Sequence, residues 1–297
     1  MTTAQIAHSE EVRPITLRAG AMKMSALLSR PISGAPRATV VALHGTGMTA
    51  AYFDGQASPD VSLLASGARL GYAVLAVDRP GYGRFRSRPQ GRSLTAQARA
   101  LRLALVDFAA TQDIGAGVLL LGHSFGGMLA LRAAERGLGS VPLLGVDVSG
   151  CGHRPDPYIH EFRDVRRRAL RSWGPPRLYP PSTFRDSAAI VAPVPPLELG
   201  IALRWPMIFP RLAAKVTVPV RFTFAEHESL WRHDPDTLRD LASHFSSAHP
   251  VSVERAPGAG HNISLGWAAS SYHLRCFGFL EKCLDRRTGQ ADMEAVL

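Results

Sequence analysis

The chain has 297 residues, enough for one large α/β domain or two small ones. A hydrophobic share of 46% provides for a proper core and excludes a disordered chain. The net charge of +10 would suit anionic partners, but it is mostly arginine spread along the chain without a recognisable nucleic-acid module, so no nucleic-acid partner is expected. Residues 12–18 and 22–29 then read as two short strands around Ala19-Gly20, an opening hairpin. The run 38–43 is β-branched and continuously apolar, the pattern of a strand buried on both faces; 72–77 repeats it, and 117–121 and 141–149 follow as further strands. Two more strands are predicted at 218–224 and 251–254, with helices at 95–110, 124–136, 235–246 and 262–284. Strand and helix in alternation predict a parallel sheet with helices on both faces.

Residues 150–215 break that rhythm. They contain no strand-like run, and 155–210 hold eleven of the 22 prolines, a compositional boundary. Phe162, Val165, Ala169 and Trp173 form an apolar stripe on one short predicted helix, with Arg163, Arg166, Arg167 and Arg171 off the stripe. A second apolar piece, from Leu197 to Val216, is expected to kink or split at Pro206 and Pro210. The expected organisation is a core of residues 1–149 and 216–297 carrying a cap insertion at 150–215.

The N-terminus has early acids and no apolar h-region, so no signal peptide is predicted. No apolar run reaches the ~18 residues that span a bilayer. Of the three cysteines, Cys276 and Cys283 are seven apart on a predicted helix, roughly 10 Å, too far for a disulfide. An odd count with no framework spacing fits a reducing compartment. A soluble cytoplasmic protein without membrane contact is the expectation.

Chemistry concentrates in Gly122-His123-Ser124-Phe125-Gly126, which joins an apolar strand to a predicted helix. A serine hydroxyl needs a base to become a nucleophile, and it must stand clear of its neighbours beside donors that can hold an oxyanion. A sharp strand-to-helix turn supplies both, with small residues two before and two after allowing close approach. His44-Gly45-Thr46-Gly47 follows an earlier buried strand, where a parallel sheet brings its loop beside the serine. Thr46 and Phe125 are therefore the candidate backbone oxyanion donors. His261 follows the last strand in a loop opened by Pro257, Gly258 and Gly260, in the chain order Ser, acid, His.

At these residues the chain resembles the α/β-hydrolase family. His44-Gly45, Asp78-Arg79-Pro80-Gly81-Tyr82-Gly83, the Ser124 turn and Gly260-His261 stand in the family's order and spacing, and the resemblance runs from about residue 12 to 284. It implies an eight-stranded, mostly parallel sheet, a cap after the sixth strand and a Ser-acid-His triad. The family's epoxide hydrolases and haloalkane dehalogenases carry aspartate at the elbow, so Ser124 argues against both. The family's seventh strand commonly ends in a Gly-x-x-Asp-like turn. Here Ala225 replaces the glycine and Glu228 the aspartate, which makes Glu228 the leading acid, with Asp147 and Glu226 as alternatives. Asp78 is expected to brace its own Pro-Gly turn.

The implied chemistry is carboxylic ester hydrolysis by Ser124, His261 and Glu228 through an acyl-enzyme, on a bulky apolar small molecule. Trp173, Trp205, Phe209 and Trp231 are the candidate pocket residues, with Met207 and Ile208 beside them. Thioesterase or acyltransferase activity remains open. In that case the arginines at 163–171 could meet an acidic substrate or an acyl-carrier protein. Also open are a non-catalytic binding protein and cofactor-independent bond lysis. No metal or cofactor is expected, because ligand-spaced Cys/His pairs, Walker A loops and dinucleotide fingerprints are absent.

Overall fold

A computed structural model describes residues 12–86, 93–157, 171–248 and 250–296. The reading of the N-terminus and most of the predicted arginine-bearing helix, including Phe162, Arg163, Val165, Arg166, Arg167 and Ala169, lies outside the described residues.

Eight strands form one sheet: β1 (Val12–Ala19), β2 (Met22–Ser29), β3 (Thr39–Leu43), β4 (Ala73–Val77), β5 (Val118–His123), β6 (Leu143–Ser149), β7 (Val220–His227) and β8 (Val251–Gly260). Their order is β1-β2-β4-β3-β5-β6-β7-β8. β2 pairs antiparallel with both β1 and β4, and every other pairing is parallel. The sheet is thus eight-stranded and mostly parallel, as the strand-helix alternation and the family resemblance implied.

The helices are α1 (Leu63–Arg69), α2 (Leu94–Thr111), α3 (Phe125–Arg136), α4 (Ser182–Ile190), α5 (Pro196–Ala213), α6 (Pro235–Ser243) and α7 (Ala269–Val296). They cover both faces of the sheet and produce two core clusters. Val41, Leu43 and Leu120 face one cluster with residues of α2, α3 and α5. Val40, Ala42, Leu119 and Leu121 face the other with residues of α1 and α7. Successive strand residues point to opposite faces, so a strand with two covered faces must be apolar throughout.

Local signals set several boundaries. Ser62 caps α1 by accepting from the Ala65 N–H at 3.1 Å. Asp234 caps α6 by accepting from the Thr237 N–H at 3.0 Å, with Pro235 in the first turn, where its missing N–H costs nothing. The sequence reading missed α1 because the helix is short and buried from Leu63 to Ala68, which leaves no polar-apolar period to detect. β8 extends past the predicted 251–254 to Gly260 despite Pro257, because β8 is an edge strand that tolerates a missing N–H. The helix expected from residue 262 begins only at Ala269, after a short 3₁₀ turn at Ile263–Leu265.

Of the expected kink or split at Pro206 and Pro210, the split does not occur: α5 runs as one helix from Pro196 to Ala213. Trp205, Phe209, Leu212 and Ala213 bury one side of this helix in the core. That packing outweighs the two backbone hydrogen bonds that proline deletes.

Candidate active site

Strand order reverses around β3, since β4 lies on one side of it and β5 on the other. Loops leaving the carboxyl ends of β3 and β5 therefore diverge and open a crevice at the switch point. The 44–47 loop leaves β3 there, and Ser124 follows β5.

Ser124 has φ 53° and ψ −118°, the one positive-φ non-glycine among the described residues. Such a backbone costs of order 1–3 kcal/mol and persists where the surroundings impose it. Here β5 enters the turn from one side and α3 leaves it at once on the other. Gly122 and Gly126 make the crossing possible. A Cβ on Gly122 would lie 2.4 Å from the Gly126 carbonyl oxygen, and one on Gly126 would lie 1.9 Å from that of Leu43. The Ser124 N–H donates to the Ser149 carbonyl at 2.7 Å, which fixes the turn to the end of β6. Phe125 opens α3, so its N–H has no intrahelical acceptor and sits at the positive end of the helix dipole.

His261 follows β8 and is 4% exposed. Its Nδ1 lies 2.8 Å from Glu228 Oε2, and the Leu230 N–H donates to Glu228 Oε1 at 2.9 Å. Burial pushes the Glu228 carboxyl up, but the charge and hydrogen bond of His261, then the Leu230 amide and His233, outweigh it and leave the group below the ordinary carboxylate range. The ionised carboxylate therefore holds the Nδ1–H tautomer and leaves Nε2 free to accept a proton.

The other two candidate acids are engaged elsewhere. Asp147 is fully buried, and its Oδ2 accepts from Arg221 Nη2 at 2.6 Å and Nε at 3.1 Å. Glu226 is exposed and accepts from the Gly258 N–H at 2.7 Å. Asp78 braces more than its own turn. It accepts from Ser25 Oγ on β2 at 2.6 Å and from the Ala50 N–H at 2.8 Å.

His123, which the sequence reading did not single out, links serine and histidine. Its ring stacks on Tyr52 at 4.7 Å and meets the His261 ring at 4.8 Å. Burial, then the nearby His261, holds His123 well below the ordinary histidine range, so it is a neutral packing element beside Ser124.

A second unforeseen group holds the 44–47 loop. Arg79 and Glu198, both buried, pair at 2.6 Å from Nη1 to Oε1 and at 3.2 Å from Nη2 to Oε2. The guanidinium also donates to the His44 carbonyl at 2.8 Å and the Gly45 carbonyl at 3.1 Å, and lies 4.5 Å from the Phe125 ring centre. Burial opposes the Arg79 charge, but Glu198 and Tyr82 more than offset this and hold it protonated. The Tyr82 hydroxyl donates to Glu198 Oε2 at 2.8 Å and accepts from the Gly47 N–H at 3.0 Å. His44 Nε2 accepts the Arg79 backbone N–H at 3.1 Å, so its proton sits on Nδ1, which donates to the Gly45 carbonyl at 2.8 Å. Thr46, half-buried, lies between these anchors. The sequence carried one trace of the group: Glu198 is the only acid in the otherwise apolar stretch 197–203.

The candidate pocket residues divide. Trp205, Phe209 and Trp231 are buried in the core, and Trp205 Nε1–H donates to the Gly152 carbonyl at 2.9 Å. Met207 is 80% exposed. Trp173 is half-buried and meets Tyr179 and Phe184 at ring distances of 5.2 and 5.3 Å. This aromatic group lies against the histidine loop, where Asn262 Nδ2–H donates to the Ser172 carbonyl at 2.9 Å. Arg171 pairs with Asp156 at 3.2 Å.

His153, distant in sequence, and Asp240 and His244, four residues apart, offer ligand atoms within 4.8 Å of one another. Arg154 Nη2 lies 2.7 Å from the same Asp240 Oδ2 that His153 Nε2 meets at 2.7 Å, so the carboxylate charge is already matched there. The three cysteines are free and buried. No described helix is long and apolar enough to cross a membrane.

Residues 40–269 match the model of the alpha/beta hydrolase family. No curated protein sequence matches the chain. Solved structures of similar fold include a candidate lipase from Acinetobacter baumannii, at 16% identity and TM-score 0.69 over 93% of each chain. A soluble variant of monoglyceride lipase from Saccharomyces cerevisiae, bound to a substrate analog, aligns at 14% identity and TM-score 0.69, covering 95% of this chain and 99% of that one. The monoacylglycerol lipase of Paleococcus ferrophilus aligns at 18% identity and TM-score 0.64, covering 88% of this chain and all (100%) of that one.

Proposed function

The chain belongs to the alpha/beta hydrolase family, and we propose that it cleaves carboxylic esters with Ser124 as nucleophile, His261 as base and Glu228 as the orienting acid. One observation carries this reading: the buried 2.8 Å His261–Glu228 hydrogen bond, whose imidazole lies 4.8 Å from the ring of His123, the residue before a serine held at a strained strand-to-helix turn. That combination has no structural benefit sufficient to offset a buried carboxylate and a disfavoured backbone, and both are what nucleophilic catalysis requires.

In the proposed reaction, Ser124 Oγ attacks the acyl carbon while His261 Nε2 accepts its proton. Glu228 stabilises the imidazolium without itself taking the proton. The N–H groups of Thr46 and Phe125 hold the developing oxyanion, a contribution of roughly 3–4 kcal/mol per donor in a comparable site. The tetrahedral intermediate collapses, the proton on His261 passes to the leaving alkoxide, and the alcohol departs. Water then attacks the acyl-enzyme, gives its proton to His261, and releases the acid as Ser124 regains a proton.

Residues 150–215 act as the cap over this site. Supporting this, the stretch after α4 runs along the 44–50 loop, with the Ala192 N–H donating to the Gly47 carbonyl at 2.8 Å and the Thr49 N–H to the Ile190 carbonyl at 2.9 Å. The aromatic group of Trp173, Tyr179 and Phe184 beside the histidine loop favours a bulky apolar acyl or alcohol part. The named lipases of similar fold agree with a lipid-like ester.

The test is labelling by a fluorophosphonate, with the adduct mapped by mass spectrometry, beside turnover of graded esters and thioesters with and without an alcohol acceptor. Labelling of Ser124 with ester hydrolysis supports the reading. A folded protein that stays unlabelled overturns it, and faster turnover of thioesters or faster alcoholysis moves it to acyl transfer.

A further inference from the structure

We propose that Glu198 is a positioning residue through which α5 of the cap sets the oxyanion donors, acting by way of Arg79. The inference rests on the function proposed above. Its basis is the direction of one peptide. In a trans peptide the carbonyl of one residue and the N–H of the next point opposite ways. Arg79 Nη2 and His44 Nδ1 both donate to the Gly45 carbonyl, so they also fix the direction of the Thr46 N–H. Arg79 Nε fixes the preceding carbonyl of His44 as well.

Arg79 in turn is held by Glu198. The guanidinium is fully enclosed, and the bidentate Glu198 carboxylate is its anionic partner. Without that partner a buried cation is left uncompensated, and Arg79 would abandon the two carbonyls for solvent. The same carboxylate accepts from Tyr82, whose oxygen receives the Gly47 N–H on the other side of Thr46. One side chain of the cap thus governs the anchors on both sides of Thr46. The guanidinium also lies over Phe125, the residue that supplies the other donor.

Glu198 stands in the first turn of α5, and the segment before it pairs with the 44–50 loop through Met48 and Val191. Trp205 and Phe209 seat α5 in the core, so the helix holds the carboxylate, and through it the oxyanion loop, in place.

The experiment replaces the pair as a unit, Arg79→Met with Glu198→Leu, so that no charge is left buried and the fold is retained. Measured are kcat per titrated active site, KM for one ester, the fluorophosphonate labelling rate and the affinity of a boronate that forms a tetrahedral adduct on Ser124. Removing one oxyanion donor costs about 10²–10³ in kcat, so misaligning one is expected to lower kcat, labelling and boronate affinity together by about 10- to 100-fold. KM should stay within about threefold, since ground-state binding does not use these donors. A merely structural role would lower the fraction of active sites and the melting temperature without moving the ratio of boronate affinity to KM. Glu198→Gln, nearly isosteric, serves the same readouts if the double variant does not fold, with a loss of about 3- to 10-fold expected. A labelled wild type with an undiminished variant overturns this inference alone, whereas an unlabelled wild type overturns the proposed function and this inference with it.

Discussion

Replacing Glu228 by Gln tests the orienting carboxylate with almost no change of shape. The Leu230 N–H, at 2.9 Å from Oε1, keeps the amide oxygen of glutamine on its side. The amide nitrogen then occupies the place of Oε2, 2.8 Å from His261 Nδ1, and presents N–H groups to it. Nδ1 must accept, so the ring proton moves to Nε2, the nitrogen that should receive the proton of Ser124. The base is blocked by its own tautomer, and the cation formed in the transition state loses its counter-charge. The equivalent exchange in a serine protease costs about 10⁴ in kcat, which sets an expectation of about 10³–10⁴ here. At about 1.4 kcal/mol per tenfold, that is roughly 4–5.5 kcal/mol of transition-state stabilisation. The assay is kcat and KM on short-chain p-nitrophenyl esters at neutral pH, with the melting temperature recorded alongside. Glu228 is held below the ordinary carboxylate range, so its contribution to stability is full above that range. It disappears only as pH falls through the lowered value, and the variant should therefore melt somewhat earlier than wild type at neutral pH. A folded Gln variant that keeps kcat within about tenfold of wild type would refute the assignment of Glu228.

Ser124→Ala should abolish labelling and turnover, and Ser124→Gly should do so while being more stable than the Ala variant by about 1 kcal/mol, because only glycine accepts φ 53° without strain; equal urea midpoints would remove the strain argument. Asp147→Asn leaves Arg221 without its buried anion and should destabilise by about 3–5 kcal/mol in urea titration. Its kcat per titrated active site should hold, and a loss there exceeding that of Glu228→Gln would transfer the acid role to Asp147. Burial, the first cause for each, holds His44 and His123 well below the ordinary histidine range and His273 at about 3. The unfolded chain takes up their protons first, so stability should be full above about pH 6.5 and fall by about 1.4 kcal/mol per pH unit for each histidine below it. Urea midpoints that stay flat from neutral to mildly acidic pH would show that these rings are protonated in the folded state.

Much of this was legible in the chain. Strands buried on both faces announce themselves as largely apolar runs, and β3 to β6 fall where those runs lie. The glycines around Ser124 were readable because backbone crowding leaves glycine as the only choice. His261 was readable by its order after the last strand. Other features carried no local signal. α1 is too uniformly buried to show a period, and the prolines of α5 do not split it because of the packing of Trp205 and Phe209, which holds it together and is not written beside them.

The strand order along the chain, the double-sided sheet and the serine turn are properties of neighbouring residues, and sequence alone determined them. The sequence ranked Glu228 first by its position after the seventh strand but left Asp147 and Glu226 as alternatives, and only the folded chain shows Glu228 meeting His261 while Arg221 and the Gly258 amide engage the other two. The Arg79–Glu198 pair joins residues 119 positions apart. Its formation depends on where the segment after β6 returns to the sheet, and a buried charge finds its partner across space, in whatever element the topology brings within reach.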